Sequence, residues 1–151
     1  MEPSDVDTPL NVLLVHVWYW PHVGGGNQHV EHIARQLVAR GHNATVWCAD
    51  IPEHEEKRFV RDGVEVIRLP PTRLLGGIDP IVSIKDLAMD FDIVHLHDTL
   101  PVLIRRSVKR ARKLNIPVVT TFHNDYIKTS LSGKILTRIR WALQGRRTLH
   151  S

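Results

Sequence analysis

The sequence predicts an α/β domain built on a doubly wound, mainly parallel, Rossmann-like sheet. Three observations carry this. Short β-branched apolar runs recur along the chain, stretches of helical periodicity separate them, and several runs are apolar throughout, as strands covered on both faces are. Such a sheet binds its ligand beyond the C-terminal ends of its strands. The residues that leave each run are therefore where chemistry should gather.

Residues 10–18, LNVLLVHVW, lie between Pro9 and Pro21 and predict the first strand. From Asn27 to Arg40, Val30, Ile33, Ala34, Leu37 and Val38 keep the three-and-four spacing of an amphipathic helix, and Gly41 closes it. ATVWCAD (44–50) is a second strand, and VEVIRL (64–69), entered through Asp62-Gly63, a third. The Pro- and Gly-rich stretch 70–80 predicts a loop, followed by a short helix over 81–89. FDIVHLH (91–97) is a fourth strand, 101–114 a helix with basic residues on its outer side, IPVVTTFH (116–123) a fifth strand and 132–147 a last helix. Residues 1–9, MEPSDVDTP, read as a disordered N-terminus that lacks the basic start and apolar core of a signal peptide. The folded domain is expected over 10–151.

A chain of 151 residues with 42% hydrophobic and 24% charged residues fits one globular domain. The lone Cys48, inside ATVWCA, reads as a buried, inert thiol, and no run reaches the length of a membrane span. A cytoplasmic location is the expectation. Lys and Arg exceed Asp and Glu by 20 to 16, and from Arg105 onward only Asp125 opposes the cations. That flank suits a solvated helical face, an anionic membrane surface or a phosphorylated ligand. No nucleic-acid reading motif accompanies it, so no nucleic-acid partner is expected.

Gly24, Gly25 and Gly26 stand just before a helix, where unpaired N–H groups and the helix dipole favour an anion, and glycine lets it approach the backbone. GGGNQH lacks the spacing of the dinucleotide fingerprint, and no G-K-[ST] follows for a P-loop. His123 leaves the fifth strand in TFHND, where an imidazole can hydrogen-bond a sugar or phosphate or shuttle a proton. His95 and His97 share one face of the fourth strand; His97, at the exit beside Asp98, is the better candidate. Trp18, Tyr19 and Trp20 either stack on a sugar or bury the glycine loop. Ten histidines invite a metal, but HVEH (29–32) matches no zinc motif, and none is expected. No G-x-S-x-G elbow is present, so acyl transfer is unsupported.

In this order and spacing, YWPHVGGGNQHVEHIARQLVARGHNATVWCAD, DGVEVIRLP, FDIVHLHD and IPVVTTFHND resemble the N-terminal half of a GT-B glycosyltransferase of retaining family 4. The resemblance runs from about Leu10 to the end of the chain. It implies transfer of a sugar from a nucleotide-sugar co-substrate to a saccharide or lipid-linked acceptor, with no metal or other cofactor. It places Gly24, Gly25, Gly26 and Asn27 along the donor phosphates or reaction centre. His123 takes the catalytic position, contacting the donor sugar near the reacting carbon or assisting the acceptor. His97, Asp98, Asn124, Trp20 and His22 become acceptor-side candidates. Gly26 and Asn27 stand where the family often has a larger residue followed by Glu or Gln, so a more open loop is expected. The family's second nucleotide-binding domain has no counterpart before Ser151. It is expected in cis or as a separate chain, and the first domain itself looks unfinished, with a bare sheet edge at the fifth strand. The 151 residues alone are then expected to transfer no sugar, and the basic flank to meet the anionic inner face of a membrane. The alternative reading is a stand-alone nucleotide- or anion-binding module without catalysis.

Overall fold

The structure, a computed structural model, describes residues 8–75, 79–98 and 101–123. The expected helix over 132–147, residues 1–7 of the N-terminus and Asn124 lie outside them.

Six strands form one sheet in the order β3-β4-β2-β1-β7-β8. They are β1 (Asn11–Val15), β2 (Asn43–Ala49), β3 (Arg58–Arg61), β4 (Val64–Leu69), β7 (Ile93–His97) and β8 (Val118–Thr121). All neighbours pair in parallel except β3, which runs antiparallel to β4. Helix α1 (Gly25–Ala39) carries the chain from β1 to β2, and α2 (Val102–Lys113) carries it from β7 to β8. This is the doubly wound, mainly parallel arrangement that the apolar runs predict.

Strand alternation divides the core between the two faces. Leu13 and Val15 of β1, Val94 and Leu96 of β7, and Leu103, Ile104 and Val108 of α2 belong to one apolar cluster. Val12 and Leu14, Val46 and Cys48, and Val30 and Ala34 of α1 belong to the other. Cys48 is 1% exposed, and burial pushes its thiol up to about 12, as befits an inert side chain. No helix among the described residues is long and apolar enough to cross a membrane.

Three elements differ from the expectations. Asp62-Gly63 joins β3 to β4 as a tight hairpin, with φ of 52° and 79°. Positive φ at both central residues is what a type I′ turn demands. The stretch 70–80 includes β5 (Pro71–Leu75), paired antiparallel with β6 (Asp79–Val82). The helix expected over 81–89 does not form. Its first two residues belong to β6, and the carbonyls that a helix would satisfy internally are taken by α2 instead. Arg110 donates to the carbonyls of Ile84, Lys85 and Leu87, and Arg106 to that of Val82. Thus two of the cations of α2 are spent on the backbone of this connection. Among the described residues β8 is an edge strand, with Val119 and Phe122 exposed.

Candidate functional site at the switch point

The chain leaves β1 toward β2 on one side of the sheet and β7 toward β8 on the other, so the switch point lies between β1 and β7. Alternation then decides what gathers there. His16 continues the face of Val12 and Leu14, His95 and His97 follow Ile93, and His123 follows Thr121 beside them. All four imidazoles project toward the α1 side of the sheet, and His29 comes down from α1. The ring of His97 lies edge to edge with that of His123, centroids 5.2 Å apart and planes within 15°, and 4.3 Å from that of His95. The ring of His29 is 5.1 Å from His123 and 5.8 Å from His97. No three His, Cys, Asp or Glu side chains among the described residues are placed to hold a metal ion.

Hydrogen bonds fix this cluster. His16 Nδ1 lies 2.6 Å from the Trp18 carbonyl, so it carries the proton and donates. His95 Nε2 meets Thr121 Oγ1 at 2.9 Å, and His97 Nδ1 meets His123 Nε2 at 3.0 Å. His97 has no accessible surface, and its Nε2 finds no partner among the described residues. Burial, reinforced by the neighbouring imidazoles His95, His123, His16 and His29, pushes His97 down to about 2. Burial also lowers His16, against the opposing pull of the Trp18 carbonyl, and lowers His95 and His123. These four imidazoles are therefore neutral at neutral pH.

The glycines form the opposite wall. Gly24 is the N-cap of α1 in an extended conformation, and Gly25, Gly26 and Asn27 make its first turn. No side chain among the described residues caps this end, and the first turn holds no acid. Asn27 instead donates to the His22 carbonyl at 3.0 Å, tying the preceding loop to the helix. At Gly26 a Cβ would stand 3.1 Å from His16 Nε2 and 3.8 Å from His123 Cδ2. Glycine thus lets α1 approach the imidazoles. The openness expected from this small residue is taken up by the His16 ring.

Between these walls lies a crevice of about 640 Å³, reached by His16, Trp18, His22, Asp98, His123 and the three glycines. It contains no lysine or arginine among the described residues. Asp98 enters it from a residue with φ of 103°, a conformation that side chains other than Asp and Asn rarely adopt and that recurs at functional sites. A smaller cavity of about 120 Å³ continues toward α2, past His97, Asp79 and Pro101.

The structure thus brings Gly24, Gly25, Gly26, Asn27, His22, His97, Asp98 and His123 to one place. Trp20 stands apart. Its carbonyl accepts from Arg68, the Arg61 guanidinium lies 4.7 Å over its ring, and Phe59 is 6.3 Å away. These partners hold it over the β3–β4 edge, and Trp18, its ring 4.9 Å from His22, is the tryptophan that lines the crevice. His16 has no part in the sequence expectations, and His29 enters them only through HVEH. Carrying the alternation of β1 one residue pair further places His16 with Val12 and Leu14, and that was the available signal. Asp50, at the exit of β2, is 3% exposed and bound to Lys57 and His54. Burial opposes its ionisation, but those hydrogen bonds outweigh it and hold the carboxyl below its ordinary range.

The chain is 27% identical over 128 residues to a GDP-mannose-dependent alpha-mannosyltransferase of Corynebacterium glutamicum, covering 80% of this chain and 31% of that protein. It is 28% identical over 144 residues to a protein of the same name from Mycobacterium tuberculosis, covering 88% and 38%. It is 26% identical over 127 residues to one subunit of the phosphatidylinositol N-acetylglucosaminyltransferase of Arabidopsis thaliana, covering 78% and 28%. The chain thus spans between a quarter and two-fifths of the length of these relatives. The sequence model of Glycosyltransferase Family 4 matches residues 23–150, from the glycine loop through both helices and beyond β8, and the chain belongs to that family.

Proposed function

We propose that this chain is the acceptor-side domain of a retaining glycosyltransferase that moves a sugar from a nucleotide-sugar to a saccharide or lipid-linked acceptor. The observation that carries the reading is the crevice itself. On one wall stands a helix N-terminus that no described side chain caps, and on the other stand His123 and Asp98. Backbone N–H groups at a helix start stabilise a phosphate, and a neutral imidazole hydrogen-bonds a sugar without adding charge. Asp98 is the acceptor-side carboxylate in this reading. With no cation in the described crevice, most of the charge on a departing nucleotide must be met from elsewhere. A second domain, in cis or as a separate chain, supplies it.

The test is a transfer assay with GDP-mannose, a donor suggested by two of the relatives' names, on residues 1–151 alone and with a second, nucleotide-binding domain. Turnover is expected only in the second case, and is lost in His123→Ala. Turnover by the 151 residues alone would overturn the division of labour. The open start of α1 also favours a second reading, an anion-binding module without catalysis. Nucleotide binding by the isolated chain, with no transfer under either condition, would select it.

A lipid-linked acceptor draws support from a second surface. A groove of about 660 Å³ beside α2 carries Lys85, Lys109 and Lys113 next to Ile84 and Leu114. Cations beside apolar side chains suit peripheral contact with an anionic bilayer. Vesicles containing anionic phospholipid should retain the chain, and the double change Lys109→Glu with Lys113→Glu should release it. Retention that survives the double change counts against the contact.

A further inference from the structure

The hydrogen bond between His97 and His123 is ambiguous in isolation, because either ring can donate. The surroundings of His97 resolve it. Its ring has no accessible surface, and its Nε2 has no partner among the described residues. If His123 donated from Nε2, a neutral His97 would carry its own proton on Nε2, as a buried N–H with nothing to receive it. If His97 donates from Nδ1, its Nε2 is only an unused lone pair. Buried N–H groups without acceptors are much rarer than unused acceptors, so the second arrangement prevails.

We infer that His97 is a positioning residue that locks His123 into the tautomer with its proton on Nδ1. His97 Nδ1–H donates to His123 Nε2 across 3.0 Å, and His123 lines the crevice with Nδ1 as its remaining nitrogen. Toward a ligand, His123 is then a hydrogen-bond donor and not a base. Resting on the proposed reading of His123 as the donor-facing group, this defines the chemistry it meets. The sugar must offer it an acceptor, the lone pair of a hydroxyl or ring oxygen, and deprotonation of the acceptor hydroxyl falls to another group. His16 has the same polarity, with Nδ1–H spent on the Trp18 carbonyl. His97 and His16 thus have their protons assigned by what surrounds them and not by solvent.

The tautomer can be read directly from long-range proton–nitrogen correlation spectra of the 151-residue chain with nitrogen-15-labelled histidine, near pH 7.5. The wild type should show His123 protonated on Nδ1. His97→Asn places an amide N–H donor where Nδ1 was and should preserve that state. His97→Leu removes the donor, and His123 should shift toward the Nε2–H form that free imidazole side chains favour. A wild-type His123 protonated on Nε2 overturns the inference, as does a folded His97→Leu variant with an unchanged tautomer. Should His97→Leu not fold, the wild-type and Asn spectra decide. Adding GDP-mannose and the second domain then tests the functional reading separately. Unmoved His123 signals there would refute its donor-facing role and leave the tautomer standing.

Discussion

The two helices begin at the same end of the sheet and treat their N-termini in opposite ways. At α2 the carboxylate of Asp79, reaching over from β6, accepts the Val102 N–H at 3.1 and 3.2 Å through its two oxygens. Asp79 is 6% exposed, so that end is sealed by the protein's own anion. At α1 Gly24 offers no side chain, and no acid stands in the first turn. One helix start is consumed in holding the fold, and the other, in the proposed reading, meets the donor's phosphates. The groups beneath differ too, since α1 rests over neutral imidazoles and α2 is fastened by a carboxylate and arginines.

Acid should break this comparison most strongly. The histidines His16, His95, His97 and His123 beneath α1 are lowered in the folded state, so their contribution to stability is complete above the unfolded value of about 6.5 and is lost as pH falls below it. Between pH 7 and pH 5, His97 alone should cost about 2 kcal/mol, and His16, His95 and His123 add losses of the same sign. Urea midpoints at the two pH values measure this, and equal unfolding free energies would refute it. Next comes the seal on α2. Asp79→Ala should remove about 2 kcal/mol, read by thermal unfolding, with Asp79→Asn recovering a part.

Gly25→Asp sharpens the contrast by giving α1 the anion it lacks. A Cβ there meets nothing within 4 Å, so the fold should gain about 0.5 kcal/mol from the helix dipole. Sugar transfer by the proposed two-domain assembly should fall about tenfold or more, and undiminished transfer would refute the proposed role of α1 at the donor phosphates. The smallest effect is expected for Gly26→Ala. Helix propensity gains up to about 1 kcal/mol, and displacing His16 from 3.1 Å takes most of it back, so the midpoint should barely move. The imidazole signals of His16 and His123 should shift nonetheless.

The apolar parallel strands and both described helices were legible because each repeats a period over several residues. What escaped lacks a period or borrows its partners. β3 is Arg-Phe-Val-Arg at a sheet edge, too short and charged to stand out, although Asp62-Gly63 announced its hairpin. Pro71 and Pro80 disguised a two-stranded unit as loop. The helix expected over 81–89 was lost to Arg106 and Arg110, which lie more than twenty residues away and whose claims no local window contains. At the site, strand exits announced His97, Asp98 and His123. Trp20 misled because its direction is set by Arg61, Arg68 and Phe59 across the sheet. His16 gives no such signal, because it stands inside the apolar run 10–18 that reads as a single strand.

The arginine contacts of α2 also give the folded chain a distinct chemical footprint. Arg110 has both terminal nitrogens engaged by backbone carbonyls, while Lys109 and Lys113 on the same helix are exposed. A dicarbonyl reagent that attacks guanidinium groups should spare Arg110 until the connection after β6 opens, and an amine acylating reagent should reach both lysines at once. The order in which these two chemistries mark one helix makes Arg110 a clock for the loosening of the β6–β7 connection.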